Sequence, residues 1–329
     1  MSLEPWVSIL PAMTLVLREA DVTQVVDMDA VISAVENAMR ELGEGIAQNV
    51  PRRRAFAPGG LLNVMFATYP GGRCTGVKAY SVAEGGARFL VSIFGLDGSL
   101  QALVEAEHLG AYRTGAASAV AVKALRRLGP VEVAIIGTGK QAVTQVLALS
   151  RVCEIKELRV FGRDAQRRTA FARDRQAELG VRTIAAESAE AAVRGADVVV
   201  TMTTSAEPVI EADWVEPNAL VVAAGSNFPH KAEIPAGLVE RARTVVVDQL
   251  ATAQLESGDL IRAQAAGKFD WERAIELSSV VAGKWRAPDE PGITLYESHG
   301  LAIWDLAAAS VVIPAARERG LGLEVPFFA

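Results

Sequence analysis

The period of the apolar positions changes along the chain, and each period predicts a different element. Behind Asp27-Met28-Asp29, the residues Val31, Ile32, Val35, Met39 and Leu42 recur at helical spacing, which predicts a capped amphipathic helix ending near Gly43 or Gly45. From Arg52 to Glu105 shorter runs broken by glycine take over, at residues 61–67, 76–82, 89–96 and 100–105. Asp97-Gly98 between the last two is a hairpin signal. The first hundred or so residues therefore read as a helix laid against a mostly antiparallel sheet. An alanine-rich stretch at 109–128 reads as one long helix leading directly into the strand that begins at Val131.

At Val131 the pattern becomes strand, glycine turn, helix and strand. Val131, Val133, Ala134, Ile135 and Ile136 form the apolar run that a strand buried on both faces needs, and Gly137-Thr138-Gly139-Lys140-Gln141-Ala142 follows at once. In this G-x-G-x-x-A turn Gly137 can take the tight bend, Gly139 leaves bare backbone for a pyrophosphate, and Ala142 lets the helix sit close to the sheet. The free N–H groups at the helix start would face the phosphates. Ala142, Val146, Leu149 and Cys153 give that helix its packing stripe, and Leu158-Arg159-Val160-Phe161 supplies the second strand.

Alternation continues with helices at 165–179 and 189–194 and strands at 182–184, 197–203, 219–224 and 244–247. The expected fold class is α/β: a Rossmann-type doubly wound parallel sheet domain plus a discontinuous α+β substrate-binding and dimerisation domain. Residues 295–316 read as an apolar helical stretch that returns to the first domain. The expected division is 1–117 with 307–329 for the substrate-binding and dimerisation domain, and 118–306 for the dinucleotide-binding domain.

Composition narrows the function. With 329 residues and 50% hydrophobic content the chain can fill more than one core. A net charge of −6 and no basic run beyond Arg52-Arg53-Arg54 argue against nucleic acid. Cys74 and Cys153 lack metal-type spacing, which fits a reduced cytoplasmic protein with no metal site. The N-terminus has no signal layout and no apolar run approaches a bilayer span, so no membrane is expected.

Taken together, Arg113-Thr114-Gly115-Ala116-Ala117-Ser118, Gly137-Thr138-Gly139-Lys140-Gln141, Ala224-Gly225-Ser226-Asn227 and Ser298-His299-Gly300-Leu301-Ala302 resemble the ornithine cyclodeaminase and mu-crystallin family over nearly the whole chain. The resemblance implies a nicotinamide cofactor, a small amino- or imino-acid substrate and a homodimer paired through the sheets of the non-nucleotide domains. It also implies that Arg52 and Arg113 hold the substrate carboxylate, and planar guanidinium groups suit that task. Strand alternation would put Arg52 and Arg54 on one face and Arg53 on the other, while a solvated basic edge is the plainer account of the same run. Lys78 matches the family's active-site lysine; burial beside two arginines would lower its pKa into a useful range, whereas a solvent-facing lysine would do nothing.

Two departures bear on the chemistry. Asn227 stands where ornithine cyclodeaminase has a proton-accepting aspartate, and an amide cannot take that proton, though it can orient an imine or simply end a turn. His299 stands where relatives carry an apolar residue, as a general acid or as a hydrogen-bonded helix-start histidine. The resemblance further implies cofactor contacts from Arg113, Lys140, Gln141, Thr203, Lys231 and Ser298, although Thr203 and Ser298 also suit caps or turns. Where an NAD site carries an acidic residue at the end of the second strand, this chain has Gly162 followed by Arg163, which favours NADP(H), with NAD(H) possible if Asp164 turned inward. The expected activity is imine reduction or amino-acid dehydrogenation. Ornithine cyclodeamination and a crystallin-like binding protein without turnover are the alternatives.

Overall fold

The computed structural model describes residues 13–126, 129–286, 288 and 290–327. Strands β1 (Met13–Leu17), β2 (Gln48–Ala57), β3 (Gly60–Tyr69), β4 (Cys74–Ala83), β5 (Gly86–Gly95) and β6 (Leu100–Glu105) open the chain. They are followed by β7 (Val131–Ile136), β8 (Ile155–Phe161), β9 (Thr183–Ala185), β10 (Val198–Thr201), β11 (Leu220–Ala223), β12 (Thr244–Val247), β13 (Ala274–Glu276), β14 (Thr294–Glu297) and β15 (Leu323–Pro326).

One sheet has the order β15-β1-β6-β5-β4-β3-β2, and the other β13-β12-β14-β11-β10-β7-β8-β9. The meander from β2 to β6 is antiparallel throughout, as its short alternating runs predict, and β1 joins β6 in parallel. The second sheet is parallel at every pairing. Its central strands are buried on both faces, which is why β10, β11 and β12 read as valine-rich runs and β7 as an apolar run broken by Glu132 alone. Its direction of growth reverses between β7 and β10, the place where an open parallel sheet leaves a crevice at its carboxyl edge.

The amphipathic helix Met28–Glu44 begins on an Asp27 cap and ends on left-handed Gly45, as the pattern predicts. The alanine-rich helix spans Glu107–Leu125; Leu128, where the sequence pattern would end it, lies outside the described residues. Small side chains let this helix pack closely against the dinucleotide-turn helix Lys140–Val152. An added Cβ on Gly115 would lie 2.4 Å from the Thr144 carbonyl oxygen.

One expectation is corrected. The stretch 295–316 is not one helix: Thr294–Glu297 is a strand inserted between β11 and β12, and the helix is Ala302–Glu318. A short apolar run bounded by a break reads equally as buried strand or buried helix, and the break here is Gly300 at φ +93°. That break sends the helix Ala302–Glu318 onto the antiparallel sheet, where it packs on β3 and β4, and β15 then pairs with β1.

Candidate active site

At the carboxyl edge of the parallel sheet, a groove of about 530 Å³ runs past Gly137, Gly139, Gly162, Arg163, Arg167 and Thr203. Gly137 sits at φ +120°, and an added Cβ would stand 2.2 Å from the Met202 carbonyl oxygen, so no other residue fits that bend. A Cβ on Gly139 would meet nothing within 4 Å, leaving its backbone open to a ligand at the start of helix Lys140–Val152. Glu233, buried, accepts from the backbone N–H of Thr203 at 2.6 Å and of Gly225 at 2.7 Å, and so ties together the ends of β10 and β11 beside the groove. A pyrophosphate and its ribose fit this cradle. Asp164 lines the same groove, and one of its oxygens caps the helix Ala165–Leu179 by accepting from the Arg167 backbone N–H at 3.0 Å. Arg168 donates to the Gly162 carbonyl. Lys140 points away: its exposed ammonium pairs with Glu107 at 2.6 Å, outside the groove.

A second cavity of about 240 Å³ adjoins the groove and shares Met202 with it. Here the two sheets meet. Arg52 comes from β2, Lys78 and Tyr80 from β4, Phe89 from β5, Arg113 and Thr114 from the alanine-rich helix, Gln141 from the turn helix, and Asn227, Ser298 and His299 from the parallel sheet's loops. Thus Arg52, Lys78, Arg113, Gln141, Asn227, Ser298 and His299 are brought together, while Gly137, Gly139, Gly162, Arg163 and Thr203 line the neighbouring groove. Lys231 stands with its ammonium 5.5 Å from the Phe228 ring centre and lines neither.

The register of the arginine run is settled by geometry. Arg52 is buried and Arg53 exposed, and Arg52 and Arg54 both reach Glu256. Arg52 also donates to the His299 carbonyl at 3.1 Å, and Arg54 donates to the Asn227 carbonyl at 2.8 Å. Arg52 is therefore largely engaged by protein. Arg113 bonds to Asp305 through Nε alone at 3.2 Å, which leaves its two terminal nitrogens for a ligand.

Lys78 is 2% exposed, with its ammonium 2.6 Å from Asp305. Burial lowers its pKa to about 8, the Arg113 charge adds to the lowering, Asp305 opposes it, and Arg52 lowers it further. An amine in that range can give and recover a proton near neutral pH.

His299 is held differently. Its ring nitrogens stand 3.5 Å from Asp248 and from Glu297, and its N–H and that of Gly300 both donate to Asp248. Burial works to lower its pKa, but the two carboxylates together outweigh that and raise it to about 10. The geometry holds His299 between two carboxylates as a hydrogen-bonded side chain, one of the two readings its place in the sequence allows.

Glu256, Asp305, Asp248 and Glu297 orient these groups, and no motif in the sequence singles them out. All are buried, the first in a polar run and Asp305 within the apolar stretch Leu301-Ala302-Ile303-Trp304-Asp305-Leu306. A lone acid in such a stretch is a signal, since a buried charge needs a partner. No lining residue of the cavity is an aspartate or glutamate. Among the described residues no cluster suited to a metal ion is found, and no helix is long and apolar enough to cross a membrane.

Comparison with known proteins agrees with this geometry. Residues 12–320 match the ornithine cyclodeaminase/mu-crystallin family. An alanine dehydrogenase of Archaeoglobus fulgidus is 32% identical, with 96% of this chain and 99% of that protein covered. The structure of Thermococcus litoralis Delta(1)-pyrroline-2-carboxylate reductase in complex with NADH and L-proline superposes with a TM-score of 0.88 at 29% identity, covering 95% of this chain and 100% of that one. An archaeal alanine dehydrogenase dimer with bound NAD gives 0.89 at 31% identity, covering 96% and 100%.

Proposed function

The chain belongs to the ornithine cyclodeaminase/mu-crystallin family, and on that premise we propose that it reduces the C=N bond of a small imino acid to the amino acid with a nicotinamide cofactor. The observation that carries this reading is the composition of the inner cavity: a lysine ammonium, a free arginine fork and an amide, no carboxylate, and a wall shared with the dinucleotide groove. The cofactor, when bound, supplies the hydride. The protein supplies position and a proton. Arg113 grips the substrate carboxylate through its terminal nitrogens, with Arg52 adding positive potential behind it. Tyr80 and Phe89, stacked at 5.0 Å between ring centres, form an apolar wall for the substrate's side chain. As Cα accepts hydride, the C=N π pair moves onto nitrogen and takes the proton from Lys78, which recovers one from solvent. Asn227 orients that nitrogen.

Cyclodeamination of ornithine needs a base where this chain has Asn227, and the cavity wall offers no carboxylate to replace it or to receive the second ammonium group. The discriminating experiment follows absorbance of the reduced nicotinamide with cyclic ketimines and with 2-oxo acids plus amines, alongside ammonia release from ornithine. Consumption with an imine is expected. Ammonia and proline without net cofactor change would favour the cyclodeaminase, and no turnover despite tight cofactor binding would favour a crystallin-like binder.

We infer NADP(H) as the preferred cofactor. At the end of β8 Arg163 and Arg167 line the groove and can meet a 2′-phosphate; Gly162 is pressed against Thr138, with an added Cβ 2.7 Å from its Oγ1, and Asp164, on the same wall, spends one oxygen on its helix cap. We also infer a homodimer. On the face of the antiparallel sheet away from the helices, Leu62 (46%), Phe66 (47%) and Leu90 (42%) remain exposed, an apolar surface that a second copy would cover, and the archaeal relative is a dimer.

A further inference from the structure

Asp305 stands in the first turn of the helix Ala302–Glu318, fully buried, and a single oxygen serves two cations: Oδ1 accepts from Lys78 Nζ at 2.6 Å and from Arg113 Nε at 3.2 Å. Its second oxygen is buried without a hydrogen-bond partner. Space for the pair is provided by Gly110, where an added Cβ would lie 3.2 Å from Lys78 Nζ and 4.0 Å from Asp305 Oδ1. The charged groups that face Lys78 are Arg113 from the alanine-rich helix, Arg52 from β2, and Asp305. Phe89 of β5 presents its ring 5.4 Å from the ammonium. Among these described groups Asp305 is thus the one anion, set against two arginines.

We propose that Asp305 is a positioning residue for the reduction, aiming the Lys78 ammonium and the Arg113 fork at one substrate and keeping Lys78 protonated beside two like charges. This rests on the reading of Lys78 as the proton donor. Charge dictates the consequence: without the carboxylate, two arginines and burial act on Lys78 unopposed, and its pKa falls below the value of about 8 that it has with Asp305 in place. An opposite charge at this range shifts a pKa by about one to three units.

The test compares wild type with Asp305→Asn and with Gly110→Ala, whose added methyl crowds the pair without changing any charge. Lys78 is titrated directly by carbon-13 NMR of ε-labelled lysine in the cofactor-bound protein, with its signal assigned by its loss in Lys78→Arg. In parallel, kcat for the imine is measured against pH. Asp305→Asn is expected to move both the Lys78 titration and the alkaline limb of kcat about one to three units lower, and Gly110→Ala to move them in the same direction by less. An unmoved Lys78 titration in both variants would overturn the proposal, even if activity drops. If Asp305→Asn fails to fold, Gly110→Ala decides alone. The NMR arm needs no turnover, so a wild type inert toward every imine would count against the proposed function and leave this inference to be judged on the titration.

Discussion

The two halves of the site are built from different materials. The dinucleotide groove is made largely of backbone: Gly137, which no other residue can replace, the Met202 carbonyl it presses against, the bare Gly139, and a helix start. The substrate cavity is made of buried charge, with Arg52, Arg54, Lys78, Arg113 and His299 each set against Glu256, Asp305, Asp248 or Glu297. A backbone cradle tolerates the loss of one contact and discriminates little. A buried charge network is all-or-nothing, because each removed partner strands another charge in low dielectric. Chemistry and substrate choice should therefore fail with single substitutions on one side of Met202, and cofactor preference should shift gradually on the other.

The sharpest way to break that contrast is at Lys78. Lys78→Ala is expected to lower kcat by roughly 10² to 10⁴, the scale of losing a general acid, while the cofactor Kd stays within about twofold. Steady-state kinetics and fluorescence titration of the cofactor check this together, and a joint loss of both would dissolve the distinction. In the wild type, reduction requires protonated Lys78, so kcat should be level at lower pH and decline as pH rises through about 8.

A smaller effect is expected in the groove. Arg163→Ala should weaken NADP(H) by roughly ten- to a hundred-fold, the range of one charge-assisted hydrogen bond, and barely change NAD(H). Dissociation constants for both cofactors decide it; equal losses, or a wild type that prefers NAD(H), would refute the NADP(H) assignment.

The last expected effect is on stability rather than rate, and it appears at His299 as a dependence on pH. Its folded pKa of about 10 lies above the ordinary 6.5, so its ion pairs contribute fully below 6.5 and are lost as pH rises through 10. Denaturant midpoints of wild type and His299→Asn should therefore converge between those limits. A gap that stays constant with pH would mean that the histidine is not held as a cation.

The same division explains what could be read from the sequence. The glycine turn, its strands and its helix are contiguous, and each residue's task is local, so 131–163 declares both fold and cofactor class. The charge cavity draws on positions 52, 78, 113, 227, 256, 299 and 305, whose proximity depends on β14 entering the parallel sheet and on the following helix crossing to the other sheet. No local pattern encodes that crossing. The cationic members were legible because resemblance to a family carried them, while their acidic partners were not. Asp305 sits in an apolar helix and Glu256 ends the helix Leu250–Glu256, with nothing in either neighbourhood to name the cation it meets. Lys140 shows the converse: the resemblance implied a cofactor contact for it, and in the structure its exposed side chain pairs with Glu107 at the surface.

The central claim, hydride delivery to Cα of an imino acid, is tested most directly by isotope. The wild-type protein is supplied with NADPH deuterated at C4 on the transferred face and with the cyclic ketimine or 2-oxo acid plus amine that it consumes fastest, and the product is analysed by mass spectrometry and proton NMR. The expected product is an amino acid heavier by one deuterium, with the Cα proton signal lost in proportion to cofactor oxidised. An unlabelled product, or proline and ammonia formed from ornithine with no net oxidation of cofactor, would contradict it.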